Sequence, residues 1–497
     1  MKKTILTICL AVMAVLAIHA ETYTGTIVVT GMGQTNTETV TVTVTEQSNG
    51  LSTLVLNVTF MGSPMTLNMT DVPAATVNDI TTYSAVRDVP TAYGTMKTTV
   101  FARVTDGMMA ANVSIPAYGV TMWFNTVGDH FQLPNSDMES WTNEFGEPDR
   151  WHGFKTAGGT YAGMSSGLVK LEQSNDVRSG ATGHSAVMTA GSIFGIVANG
   201  TMTNGMLMAG SMSATSTLNH AEMDKANGTE DFYMPLYAKP DKFNVWMKYT
   251  QGTTNANYKA GVSVKTFDGT YYQEPVDKEY TNLSGSIVGG EIPAGDWTQY
   301  SFPFDYDSYA ANGAASEAIF VTFSTNGTPG QGNGGDALYV DDMELVYLAD
   351  MTDLRYQGET INGWDPAVTA YNMEFTAVPD LDDFTADITG ASAVLTKTME
   401  QNADGTYRIA ISAVAGDLQA ATCYLITATV VEPQGMRGDV DGDGVIGIGD
   451  ITTLIDYVLN GYAINIVLEN SDVDQDGIIS IGDITGLIDY ILNGFFS

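Results

Sequence analysis

Two twelve-residue stretches near the C-terminus constrain this chain more than any other feature. Asp439 to Asp450 reads D-V-D-G-D-G-V-I-G-I-G-D, and Asp472 to Asp483 reads D-V-D-Q-D-G-I-I-S-I-G-D. Carboxylates fall at positions 1, 3, 5 and 12 of both: Asp439, Asp441, Asp443 and Asp450, then Asp472, Asp474, Asp476 and Asp483. Position 6 is Gly444 or Gly477, where a sharp turn is needed, and position 7 offers the backbone carbonyl of Val445 or Ile478. Hard oxygen donors at this spacing are what a calcium loop requires. Ser480 at position 9 adds a hydroxyl in the second loop, whereas Gly447 has none to offer. An Asp/Gly turn that binds nothing has no reason to repeat every ligand position, so one Ca2+ is expected in each loop.

The flanks narrow the reading. An EF-hand carries a helix on both sides of each loop, but Glu432-Pro433-Gln434-Gly435 before the first loop is unsuited to a helix. Only the following helices are expected. Ile451, Leu454, Ile455 and Val458 recur with helical spacing, as do Ile484, Leu487, Ile488 and Ile491. Asp450 and Asp483 are placed to cap them, and Asn460-Gly461 and Asn493-Gly494 to stop them. Position 12 is Asp where the EF-hand pattern has Glu. The segment from Gly438 to about Phe496 resembles a type I dockerin. That resemblance implies a cohesin partner on a scaffoldin or surface protein, with loop positions 10 and 11, here Ile448-Gly449 and Ile481-Gly482, helping to choose it. Packing within the loop is the other reading of those four residues. The two helical repeats differ only at Thr453/Gly486 and Val458/Ile491, so two docking orientations related by a half-turn are expected.

The net charge of −37 argues against nucleic acid or an anionic membrane as partner and suits divalent-cation binding. A chain of 497 residues is too long for one core and is read as several domains, mostly β. Lys2 and Lys3, the apolar run Ile5 to Ile18 and the small Ala20 form a secretory signal over residues 1–20, so the mature protein is expected outside a bacterial cell, secreted or at its surface. No later run is long enough to span a membrane. Cys9 leaves with the signal, Cys423 remains alone, and no intrachain disulfide is expected; Cys423 is read as a buried strand residue.

Residues 21–131 alternate with period 2, as in Val40, Val42 and Val44 against Thr39, Thr41 and Thr43. Seven or eight antiparallel strands are expected, closed as a barrel or sandwich. The opening Y-T-G-T-I-V-V-T-G resembles calycin-like domains, which implies a β-barrel, either filled or holding one apolar ligand.

Residues 132–348 carry L-P-N-S-D-M-E-S-W, L-Y-A-K-P-D-K-F-N-V-W-M-K-Y, D-W-T-Q-Y-S-F-P-F and A-L-Y-V-D-D-M-E-L. Together they resemble a carbohydrate metabolism domain of secreted bacterial proteins, which implies a jelly-roll β-sandwich. Such jelly rolls often hold a structural calcium between first and last strands; the matching residues are Asp137, Glu139 and Asp341, with Asp342 beside them, and ordinary edge-strand acids are the alternative. Sugar rings are recognised by flat aromatic faces. Trp151, beside a turn in D-R-W-H-G, and the Tyr271-Tyr272 pair after Asp268-Gly269 are the preferred glycan contacts because loops expose side chains.

Motifs for catalysis are weak. Gly163-Met164-Ser165-Ser166-Gly167 lacks the strand-to-helix rhythm of a nucleophile elbow. Gly330 to Gly335 fits G-x-G-x-x-G but leads into a strand. Glu144, Glu147 and Asp149 read as a solvated acidic loop. Two carboxylates of a glycosidase need only be close in space, so an enzyme stays open.

Residues 349–433 open M-T-D-L-R-Y-Q-G-E-T-I-N-G-W-D-P-A-V-T-A-Y, which resembles a cadherin-like β-sandwich and reads as a spacer before the 434–497 segment. Three functions follow: a secreted carbohydrate-handling protein that binds polysaccharide and docks onto a cohesin; a dockerin-tethered glycoside hydrolase; or a structural or adhesive surface protein.

Overall fold

The computed structural model describes residues 20–494 except 32, 48–49, 61, 78–79, 92, 106, 127–129, 224–231, 256, 275–280 and 432–435. The expected signal segment, Cys9 and the Glu432–Gly435 stretch therefore lie outside the described residues, save Ala20. The chain is mostly β, and apart from Ala162–Leu168 its α-helices among the described residues lie at the C-terminus. It divides into two compact units: one up to Thr369 with Phe384–Thr398 and Ala410–Tyr424, the other Ala370–Asp383 with Met399–Ile409 and everything from Leu425.

In the first unit, period-2 alternation becomes an antiparallel meander of nine strands, from Ala20–Gly31 to Val120–Asn125. Ala20–Gly31 pairs with both Gln34–Glu46 and Val120–Asn125, which joins the start of the meander to its end. The remaining edges, Ser63–Val72 and Ala74–Val77 with Ile80–Thr91, adjoin along the chain. Arg87 fastens them, donating from Nε to the Thr70 carbonyl at 3.0 Å and from its terminal nitrogen to that of Asp71. The alternate apolar residues, among them Ile27, Leu67, Met69, Val100, Met122 and Phe124, converge into one core. Those side chains line the barrel-like interior.

Residues 132–348 form a sheet folded onto itself. Five strands, ordered Lys170–Ser174, Ser185–Thr189, Ala337–Val346, Lys242–Thr250 and Gly295–Asp305, continue into Leu283–Ile287, Ala260–Phe267, Ala318–Ser324 and Thr201–Thr203. The halves join where Ser286 and Ile287 pair with Asp305 and Phe304. Phe243 from one half and Phe323 from the other pack 6.4 Å apart, centroid to centroid, and Trp151 lies 6.1 Å from Phe323 between them.

Further along the same unit, Glu359–Thr360, Met351–Tyr356 and Phe384–Ile388 form a three-stranded sheet. Trp364 rests 4.9 Å from the buried Tyr424 and donates from Nε1 to the Thr352 carbonyl. The loop at 415–419 packs against the outside of the barrel: Trp123 Nε1 donates to the Asp417 carbonyl at 2.9 Å, Arg103 to that of Gly416 at 2.7 Å, and Asn112 to that of Gln419 at 3.1 Å. Cys423 is half-buried, not fully buried as its strand context suggests, because it sits among half-buried neighbours at the start of Ala421–Val430.

The second unit contains a parallel pairing of Ala370–Phe375 with Leu425–Val430 and, further along, two helices of thirteen residues, Ile448–Asn460 and Ile481–Asn493. Val440, Leu454, Val473 and Leu487 form a small core between the repeats. Each helix starts three residues earlier than the apolar pattern suggests, so Asp450 and Asp483 stand at the third helical position and not at the N-cap. Asp450 Oδ2 accepts from the Gly447 amide at 2.7 Å, and Asp483 Oδ2 from that of Ser480 at 2.6 Å. Ser480 is the N-cap of the second helix and accepts from the Gly482 amide. The helices end at Gly461 and Gly494, both with positive φ (67° and 79°), as the Asn-Gly pairs predict. A four-residue helix, Leu468–Ser471, precedes the second loop, where no helix is expected from the sequence.

Candidate functional site

The two loops gather their carboxylates as the spacing implies. Ligand atoms of Asp439, Asp441 and Asp443 lie within 4.8 Å of one another, and so do those of Asp472, Asp474 and Asp476. These are the only such groups among the described residues. Oδ1 of Asp439 and Oδ1 of Asp472 are buried and accept no hydrogen bond. A buried orphan oxygen beside two further carboxylates costs free energy unless a cation takes it up. Burial first, and then the crowding of Asp450, Asp443 and Asp439, pushes the Asp441 carboxyl above its ordinary range. The residues present therefore fit Ca2+ in both loops. Asp450 and Asp483 tie each loop shut: Oδ1 of Asp450 accepts from the Val440 and Asp441 amides, and Oδ1 of Asp483 from those of Val473 and Asp474, at 2.6 and 3.0 Å in each case. The side chains of Val445 and Ile478 are exposed at 66% and 67%, so at position 7 the backbone is all these residues can contribute to an ion inside the loop.

The 132–348 sandwich holds a cleft of about 640 Å³. Its floor is the outward face of two paired strands, where Gly261 faces Ser324 and Ser263 faces Thr322. Small and hydroxylated residues alternate there with buried Val262, Val264, Val321 and Phe323. The walls are apolar: Met164 and Leu168 from the helix Ala162–Leu168, Met208 from a small sheet, and Ile193, Ile196 and Val197 from the hairpin Gly191–Ala198. Glu274 and Glu291 line it too. Glu274 accepts from Lys265 Nζ at 2.7 Å and Ser263 Oγ at 3.0 Å; Glu291 is paired with Lys259 at 2.5 Å. Burial alone pulls Lys265 down, but Glu274 and Tyr272 outweigh it and hold the ammonium above its usual range. Such a surface offers apolar walls and polar partners together.

Several expected residues fall elsewhere. Trp151 is 0% exposed and donates from Nε1 to the Pro134 carbonyl at 3.0 Å; Tyr272 is 0% exposed and lies 5.7 Å from Phe320. Neither touches solvent, because each ring packs against buried phenylalanines, Trp151 on Phe323 and Tyr272 on Phe267 and Phe320, whatever turn stands next in sequence. Tyr271 alone of the three is exposed, its hydroxyl donating to Glu222 at 3.2 Å. Asp137, Glu139 and Asp341 do not form one of the carboxylate clusters above. Glu139 accepts from the His184 amide at 2.7 Å and faces its Nδ1 at 3.0 Å, and Asp342 pairs with Arg178 at 2.6 Å. Asp341 is buried, and desolvation with the nearby Asp342 and Glu139 pushes its carboxyl up to about 7.

The acidic loop is solvated only in part: Glu144 is exposed, whereas Glu147 is 1% exposed and takes the Lys155 amide and the Thr156 hydroxyl. Against the cost of desolvation, hydrogen bonds from Ser140, Thr142 and Asn143 bring Asp149 down to about 2. Ser165 lies inside a helix, its amide bonded to the Tyr161 carbonyl, and so is no nucleophile elbow.

Residues 437–492 match the dockerin type I domain family. This C-terminal segment is a dockerin. No curated protein matches the chain. Among solved structures, a candidate glycoside hydrolase from Bacteroides thetaiotaomicron is similar at 16% identity and a TM-score of 0.34, over 53% of this chain and 86% of that one. The C-terminal family 22 carbohydrate-binding module of Clostridium thermocellum Xyn10B is similar at 10% identity and 0.19, over 42% and 95%. The tandem family 22 modules of Paenibacillus barcinonensis Xyn10C follow at 10% identity and 0.20, over 65% and 92%. Scores this low say nothing about what the chain does.

On the dockerin, Ile448 and Ile481 are 75% and 68% exposed, and Leu459 and Leu492 are 75% and 74% exposed. Both repeats thus present the same apolar positions. Gly449 and Gly482 do otherwise: each sits against a loop carboxylate, Asp441 or Asp474. The cleft, with Glu274 and Glu291, is absent from the sequence reading; the only local sign of it is the small residues facing out of Ala260–Phe267 and Ala318–Ser324.

Proposed function

We propose that this is a secreted carbohydrate-handling protein that docks through its calcium-loaded dockerin onto a cohesin and holds a glycan in the cleft of its 132–348 sandwich. The match of residues 437–492 to the dockerin family supports the docking arm. Calcium, one ion per loop, is held by Asp439, Asp441, Asp443, Asp450 and the Val445 carbonyl, and by Asp472, Asp474, Asp476, Asp483 and the Ile478 carbonyl, with Ser480 adding a water-mediated contact. The paired exposure of Ile448 with Ile481 and of Leu459 with Leu492 supports two docking orientations related by a half-turn. The cleft supports the glycan arm, since apolar walls over hydroxyl and carboxylate groups match the two kinds of surface on a sugar. No helix among the described residues is long and apolar enough to cross a membrane.

The full chain is tested against a panel of type I cohesins with calcium and with chelator, and against polysaccharides for retention and for released reducing sugar. Calcium-dependent cohesin capture is expected, with polysaccharide retained and not cleaved. Released sugar would favour a tethered glycoside hydrolase, a reading that Glu274 and Glu291 in one cleft keep in view. Failure of every cohesin to bind would remove the docking arm.

A further inference from the structure

The hairpin Gly191–Ala198 turns on two residues, because Ile193 pairs with Ile196. Phe194 and Gly195 occupy that turn with φ of 52° and 78°. Positive φ at both central positions defines the tight turn that suits a right-twisted hairpin, and it favours Asn or Asp followed by Gly. A phenylalanine in the left-handed region is strained, since its Cβ crowds the backbone. Its ring is also 91% exposed, the most exposed large apolar side chain among the described residues. Phe194 is thus unfavourable twice over for folding, in backbone and in solvation. Residues held at such a cost concentrate where ligands bind.

The surroundings say which ligand. Ile193, Ile196 and Val197, on either side of the turn, line the cleft wall, so the turn stands at its rim. The same cleft holds Ser263, Thr322 and Ser324 on its floor, with Glu274. Phe194 itself stands outside the lining, and an exposed flat ring beside a cleft that holds hydroxyl and carboxylate groups fits a pyranose, which shows an apolar face and a polar edge. We infer that Phe194 is the stacking platform of the cleft and that the hairpin carries it onto one sugar ring of a bound polysaccharide. This rests on the cleft being the glycan site.

The test titrates the full-length, calcium-loaded protein with soluble xylan, mixed-linkage β-glucan, mannan and homogalacturonan by calorimetry. Phe194→Ala, Phe194→Trp, Phe194→Asn and a floor variant, Ser263→Ala with Thr322→Ala, are run beside it. For the polysaccharide that binds, Phe194→Ala weakens affinity roughly fivefold or more, Phe194→Trp retains it, and the new indole's emission shifts to the blue on saturation. Phe194→Asn suits the turn better, so it raises the melting temperature while weakening binding; that opposed pair is not expected of a structural residue. A melting temperature lowered by Phe194→Asn would overturn the inference, since the ring would then hold the fold. Binding weakened by the floor variant but untouched at Phe194 would also overturn it while leaving the cleft as the glycan site. Binding indifferent to both sets of variants, or no polysaccharide bound at all, would overturn the inference together with the cleft reading.

Discussion

A β-carbon on Gly449 would lie 2.6 Å from Oδ2 of Asp441, and the second repeat copies the relationship at 2.4 Å between Gly482 and Oδ2 of Asp474. Any side chain at loop position 11 would make the third-position carboxylate shift from its approach to the helix start. Gly449→Ala is expected to displace Asp441 and weaken calcium at the first loop about tenfold, with Ile448 still exposed. Gly482→Ala should do the same at the second. Calcium titration followed by calorimetry on each variant checks this, and unchanged affinity in both would show that the carboxylate moves aside freely.

The orphan oxygens of Asp439 and Asp472 carry a stability prediction. Metal binding energy is part of the folding energy of a loop that must bury its own charges. Chelator is expected to remove the helical signal of Ile448–Asn460 and Ile481–Asn493, and Asp439→Ala to halve the number of ions bound. Far-ultraviolet circular dichroism and an ion count per chain measure the two effects. Helical content that survives chelator would place the fold's stability in the Val440, Leu454, Val473 and Leu487 core alone.

Asp417 gives the pH dependence. Burial raises its carboxyl to about 6, only partly offset by the Gln419 amide and the Arg103 charge. An acid whose folded value lies above its unfolded one takes up a proton on folding, so its contribution is intact below about pH 4 and is lost as pH rises to about 6. Asp417→Asn keeps an oxygen for the Gln419 amide and should remove this loss. A gain of up to about 3 kcal/mol at pH 8 is expected, with none at pH 4. Denaturant midpoints at both pH values measure it, and a loss at pH 8 would mean that the Arg103 attraction outweighs desolvation.

Trp151 and Tyr271 separate packing from exposure. Trp151→Ala empties the space between the two halves of the folded sheet and is expected to cost about 3–5 kcal/mol. Tyr271→Ala, at 44% exposure, should cost under about 1 kcal/mol. Chemical denaturation of the two variants gives both numbers, and equal losses would contradict the packing described here.

The dockerin was legible because its chemistry is local. The carboxylates proposed to hold one ion sit within twelve residues, so their spacing in sequence already sets their clustering in space, and a copy later in the chain repeats it. Period-2 alternation likewise announced strands throughout residues 21–131 and much of 132–348, since a pleated strand sorts its side chains by parity. Parity does not say which side faces the core. Trp151 and Tyr271 both stand beside turns in sequence, yet one is sealed between sheets and the other meets solvent. The cleft was illegible for a related reason: Leu168, Ile193, Met208, Ser263, Glu274 and Thr322 lie apart in sequence and are brought together only by the fold, as where Ser263 pairs with Thr322. Asp417 titrates near 6 for the same cause, as its burial depends on the 103–123 face of the barrel, far back in the chain. Ligand spacing within a loop and the rhythm of a strand were set by the sequence alone. Which rings are buried, where a cavity opens and how a carboxylate titrates were decided by long-range packing, because each depends on neighbours that only the fold supplies.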